Sequence, residues 1–139
     1  MNIYKGSCHC SAVTVELETN TDPAEIEVRE CQCSFCRSHG AVSASDPNGR
    51  VRYIENTEGA IHLYRFGTRS CDFILCRHCG VYLGAVMGDQ ETPGYSTTQI
   101  KLLEDWELFT KTARHPDYDD ETLENRLARR RQNWTPLAG

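Results

Sequence analysis

A chain of 139 residues, 39% hydrophobic and 25% charged, can bury one core and is too apolar to stay disordered, so a single domain over residues 1–139 is expected. Its formal charge of −5 offers no general attraction to phosphate backbones, which argues against nucleic acid as a partner. No stretch approaches the roughly 18 consecutive apolar residues of a membrane span, and the opening MNIYKGSCHC lacks the basic and then apolar run of a secretory signal; a cytoplasmic protein without membrane contact is expected.

After Cys8 and Cys10, the stretch AVTVELE (12–18) sets Val13, Val15 and Leu17 on one face with polar residues between, the period of a half-buried strand. The turn TNTDP follows, then a short alternating run IEVRE (26–30) leading into CQCSFC (31–36). AVSAS (41–45) stops at the breaker DPNG. VRYIE (51–55), IHLYRF (61–66), DFILC (72–76), VYLGAVM (81–87) and GYSTTQIKL (94–102) continue the series, with Gly49, Gly59, Gly67 and Gly80 near the joints. The segment DYDDETLENRLARRRQNW (117–134) changes period. It has acidic residues in front, arginines behind, and Leu123, Leu127 and Trp134 at helical spacing, so it predicts a short helix capped by Asp119 or Asp120 and laid on the sheet. Arg129, Arg130 and Arg131 could form a phosphate or nucleic-acid patch; the simpler reading is solvated arginines that complement the helix dipole. The whole reads as a mainly β fold of small antiparallel sheets with a short C-terminal helix.

The eight cysteines carry the chemistry. Disulfide frameworks belong to small secreted domains, whereas C-x-C, C-x-C-x-x-C and C-x-x-C each gather thiolates on one turn, which suits a tetrahedral metal. Zinc is the expected ion, with iron the minor rival, because soft thiolates favour it and it does no redox chemistry. Cys8 and Cys10 with Cys76 and Cys79 complete a four-sulfur structural site, which strands must assemble from distant parts of the chain. Cys31, Cys33 and Cys36 can hold a second zinc from one side, and three protein ligands plus an open position is the arrangement of catalytic zinc. Cys71 is read as an ordinary buried residue, the alternative being a fourth ligand that closes the second shell. His9 and His78 lie inside the knuckles and are weak candidates. His39, three residues past the triplet, is the better histidine for a fourth ligand or a proton carrier.

The ordered motifs GSCHC, CQCSFC and CRHCG resemble the glutathione-dependent formaldehyde-activating enzyme family, which also includes centromere protein V. The resemblance runs from Gly6 to about Leu83. It implies an all-β, tent-like fold held by two zinc ions per chain, one structural on Cys8, Cys10, Cys76 and Cys79 and one catalytic on Cys31, Cys33 and Cys36. It further implies a carbon-sulfur lyase of the S-(hydroxymethyl)glutathione synthase type, with a glutathione-like thiol and formaldehyde or another small aldehyde as partners. The chain departs from the family pattern at Ser11, where Gly commonly stands, at Leu75, where Phe commonly stands, and in having Cys71. The alternative is a non-catalytic, zinc-stabilised binding module that uses the arginine-rich helix as its contact surface. Thiol redox chemistry or zinc buffering ranks last, since CRHC runs into a strand rather than a helix.

Overall fold

The computed structural model describes residues 1–88 and 94–138. In chain order these form β1 (Asn2–Ser7), β2 (Val13–Thr19), β3 (Val28–Arg29), α1 (Ser34–His39), β4 (Ser43–Ala44), β5 (Arg50–Glu55), β6 (Ile61–Tyr64), β7 (Asp72–Cys76), β8 (Tyr82–Met87), β9 (Tyr95–Gln99), α2 (Leu123–Asn133) and β10 (Thr135–Pro136). Strands β1, β2 and β5 make one antiparallel sheet with β2 in the middle. A second sheet runs β3-β4-β9-β8-β7-β6, all neighbours antiparallel, and β10 pairs with β9 at Ser96 and Tyr95 while β4 pairs with it at Gln99 and Thr98. The expected mainly β fold of small antiparallel sheets with a C-terminal helix is what the chain adopts. Among the described residues, no helix is long and apolar enough to cross a membrane.

The alternation in β2 works as its period dictates. Val13, Val15 and Leu17 are buried, and Val15 and Leu17 pack on Tyr4, Val28, Val51 and Leu103 in the core between the sheets. Tyr53 fastens the two layers: its hydroxyl lies 2.7 Å from Ser96 Oγ and 3.1 Å from Thr98 Oγ1 on β9. Strand β1 escaped the sequence pattern because NIYKGS offers little apolar alternation. Its ladder with β2 and the buried Tyr4 place it, and Gly6 bridges to Leu103 with no room for a side chain. The C-terminal helix differs in detail from expectation. Its N-cap is Thr122, whose Oγ1 accepts from Asn125 N–H at 3.1 Å, while Asp119 and Asp120 lie in the preceding turn. The N-cap is the residue that immediately precedes the first helical one, and neither aspartate does. Leu123 is exposed, Trp134 is buried just past the helix end, and the buried residue of the helix itself is Arg130.

The topology brings remote turns together. The β1–β2 turn carries Cys8 and Cys10, and the β7–β8 turn carries Cys76 and Cys79. A relay of backbone bonds joins them: Asn56 N–H to Ala12 O at 2.8 Å, Ala60 N–H to Thr57 O at 3.1 Å and Arg77 N–H to Ala60 O at 2.7 Å. Cys8, Ala12, Val13, Ala60, Ile74, Cys76 and Leu83 form the small core beneath.

A Cβ added at Gly6 would stand 1.9 Å from the Leu102 carbonyl oxygen, a clash with backbone that no rotamer relieves. Gly6→Ala is therefore expected to lose about 3 kcal/mol of stability, the upper end of overpacking costs; chemical denaturation measures it.

Candidate functional site

Two groups of thiols assemble. In the first, the sulfur atoms of Cys8, Cys10, Cys76 and Cys79 all lie within 4.8 Å of one another. Cys10 Sγ is 3.8 Å from Cys8 Sγ and 3.6 Å from Cys76 Sγ. A disulfide would need about 2.05 Å, and the edge of a tetrahedron with zinc-sulfur bonds of 2.3 Å is about 3.8 Å. The spacing thus fits sulfurs around one zinc-sized cation, and all eight cysteines are free. Backbone donors face the sulfurs: Val13 N–H points to Cys8 Sγ, and the His78 and Cys79 N–H groups to Cys76 Sγ, each at 3.4 Å. Such bonds favour thiolates. At Cys79, slight burial works against ionisation, yet backbone hydrogen bonds with Val81 and Cys10 bring the pKa down to about 6.

Each knuckle ends in a left-handed residue, Ser11 at φ 66° after Cys8 and Cys10, Gly80 at φ 78° after Cys76 and Cys79. Their N–H groups close the turns onto Cys8 O at 3.1 Å and Cys76 O at 2.8 Å. An L side chain at position 11 therefore carries backbone strain that a glycine would not.

The second group is Cys31, Cys33 and Cys36, whose sulfurs also lie within 4.8 Å of one another. The sequence motif folds into the start of α1, with Cys33 as N-cap and its Sγ accepting from Cys36 N–H at 3.4 Å. Gly40, left-handed at φ 59°, ends the helix after six residues. So short a run carries no helical period, and α1 is a feature the sequence pattern does not predict. Three thiols this close cannot ionise together without a cation. Hydrogen bonds from Cys31 and Cys36 push the Cys33 pKa far below its ordinary value, while contact with Cys33 raises Cys31, and contacts with both Cys31 and Cys33 drive Cys36 far up. The triplet therefore fits a dication that would stabilise all three thiolates.

The triplet opens onto a cavity of about 400 Å³ whose walls include Phe66, Phe73, Tyr82, Trp134, Arg29 and Arg130; the four-cysteine group does not line it. Cys71 is buried on the wall of this same cavity but stands outside the close group of three sulfurs, and burial raises its pKa. His39 is exposed, its ring packs 4.5 Å from Phe35 and 5.6 Å from Tyr82, and it neither joins the thiols nor lines the cavity. His9 and His78 likewise lie outside both groups. Tyr82 was missed by sequence reasoning. Its phenol is buried against the cavity, and desolvation lifts its pKa well above the ordinary tyrosine value. Two of the three arginines differ from expectation, while Arg131 is exposed as expected. Arg129 reaches Glu121 at 2.8 and 3.0 Å and lies 3.5 Å over the Tyr118 ring, while Arg130 is buried. Their place in the last turns of a helix assigns all three to solvent, where they would complement the helix dipole.

The family model described as glutathione-dependent formaldehyde-activating enzyme matches residues 3–119. A solved structure of a Rhodobacter sphaeroides protein is 32% identical and superposes with a TM-score of 0.57, covering 79% of this chain and 99% of that one.

Ser11→Gly should relieve the left-handed strain and raise stability by about 0.5–1 kcal/mol net of the extra freedom glycine has when unfolded, read as a higher Tm with both thiol groups intact.

Proposed function

We propose, since this chain belongs to the glutathione-dependent formaldehyde-activating enzyme family, that it is a zinc-dependent enzyme of carbon-sulfur lyase type acting on the adduct of a small thiol and a small aldehyde. The observation that supports this reading best is the contrast between the two thiol groups. Cys8, Cys10, Cys76 and Cys79 make a closed set of four that suits a structural zinc, whereas Cys31, Cys33 and Cys36 make a set of three facing a cavity and suit a catalytic one. Zinc bound to the triplet would stabilise negative charge and keep a thiol ionised at neutral pH.

The residues of the chain do the rest. Phe66, Phe73, Tyr82 and Trp134 give the cavity apolar walls that exclude water and hold thiol and aldehyde side by side, which supplies proximity. In the addition direction the thiol gives its proton to solvent and its sulfur attacks the carbonyl carbon. A carbon-sulfur bond forms, the carbonyl π pair moves to oxygen, and the alkoxide takes a proton. Tyr82, kept protonated by its burial, is the donor we assign to that oxygen. Breakdown runs the same steps in reverse. The binding-module alternative keeps only Arg131 exposed among its three arginines, because Arg129 is engaged by Glu121 and Arg130 is buried.

Zinc-loaded protein should speed interconversion of formaldehyde and glutathione with their adduct above the uncatalysed rate, followed by NMR exchange. Cys33→Ser should reduce that acceleration by about 100-fold or more, as loss of a metal ligand exceeds loss of its supporting bonds. Tyr82→Phe should lower the rate by about 100-fold, the lower range for acid-base groups. An uncatalysed rate with two zincs bound would rule the proposal out.

A further inference from the structure

The larger sheet ends in an open edge. Its order runs β3-β4-β9-β8-β7-β6, so β6 has a neighbour on one side only among the described residues. Which of its backbone groups face outward follows from the ladder. Arg77 N–H donates to Ala60 O at 2.7 Å, and bonded pairs alternate along an antiparallel ladder. With His62 opposite Leu75 and Tyr64 opposite Phe73, the backbone groups of Ala60, His62 and Tyr64 turn toward β7, and those of Ile61, Leu63 and Arg65 turn away from it. The first of these is guarded. Glu55 Oε1 accepts from Ile61 N–H at 2.9 Å, and Arg77 Nη2 donates to Ile61 O at 3.4 Å. Leu63 and Arg65 lack such cover: among the described residues nothing bonds to their outward N–H and C=O.

The side chains of this edge are open as well. Leu63 is 53% and Tyr64 44% exposed, on a kind of strand that usually carries charge or proline to prevent pairing. Tyr64 is held ready by its neighbours, its ring stacked on Phe35 at 5.7 Å and on Phe66 at 5.9 Å, with interplanar angles of 22° and 23°. Charge is distributed unevenly along the strand. Before it, the exposed Glu55 and Glu58 stand against Arg77, which leaves one negative charge over; after it, the exposed Arg65 and Arg69 stand against Asp72, which leaves one positive charge over. Two copies of the strand running antiparallel set the negative end of each beside the positive end of the other, whereas a parallel arrangement would oppose like charges.

We propose that this chain forms a two-fold dimer by antiparallel pairing of β6 with β6 of a second copy. The open groups fix the register. Leu63 of one copy lies opposite Arg65 of the other, and each such pair exchanges both of its N–H to C=O bonds. The two Tyr64 residues then face each other at the axis, in the non-hydrogen-bonded position where side chains approach most closely. Ile61, already capped, lies outside the paired stretch. The same surface serves both copies, as a closed two-fold interface requires, and the exposed Leu63 and Tyr64 become covered.

Sedimentation of the full zinc-loaded chain tests this, with amide hydrogen exchange on the same samples. The wild type should form a dimer that dissociates on dilution in the range of about 1–100 μM, as expected of a small interface. Amides of the segment 61–66 should exchange at least about tenfold more slowly above that range than below it. Leu63→Lys changes only an exposed side chain and sets an ammonium opposite the Arg65 guanidinium of the other copy; it should weaken dimerisation by at least about tenfold with zinc content unchanged. Leu63→Pro should do the same by removing an N–H that no bond within the chain uses. A wild type that stays monomeric at about 1 mM would overturn the proposal. So would wild-type dimer affinity in Leu63→Lys, or a dimer whose 61–66 amides exchange no more slowly than the monomer's, because the copies would then meet at another face.

Discussion

The structure depends on bringing four sulfur atoms from two distant turns within contact of one another. Cys10 Sγ and Cys76 Sγ sit 3.6 Å apart, a distance at which thiolates repel unless a cation lies between them. That meeting fixes the β1–β2 turn of one sheet against the β7–β8 turn of the other. The sheets are otherwise joined by the core around Leu17 and Leu103 and by the Tyr53 hydroxyl. Strand register, turn chemistry and the left-handed residues Ser11 and Gly80 are all set so that the sulfurs converge.

The second group of thiols uses the same chemistry with one sulfur fewer. Cys33 caps a single short helix and Cys36 follows on its first turn, so the whole triplet comes from one local segment and approaches from one side. The other side is a cavity rather than protein. A closed set gives rigidity and an open set gives access, and the difference arises from which strands supply ligands.

Most of the site was legible because metal ligation is local in sequence. Spacing within CHC, CQCSFC and CRHC is a direct record of turn geometry, and the alternation in β2 records which face is buried. The two groups could be separated by ligand number before any coordinates. Other features were hidden for identifiable reasons. Helix α1 is too short to show a period, and β1 buries only Tyr4 and Gly6, too few positions for apolar alternation to show. Arg29 and Arg130 carry charged side chains at positions a pattern assigns to solvent, yet are buried. Their burial is a property of the assembled cavity, to which β3, β9 and α2 contribute from separate parts of the chain. Ser11 is the intermediate case: its departure from glycine was visible, and its cost became clear only with φ 66°.

The central claim is that one thiol group is closed with four sulfurs and the other open with three. Zinc content combined with X-ray absorption, which counts sulfurs per metal, addresses it directly on wild type and Cys71→Ser. The account predicts two zincs per chain averaging about three and a half sulfurs each, unchanged by the substitution. Four sulfurs on both, falling when Cys71 is replaced, would contradict it, because the second shell would then be closed.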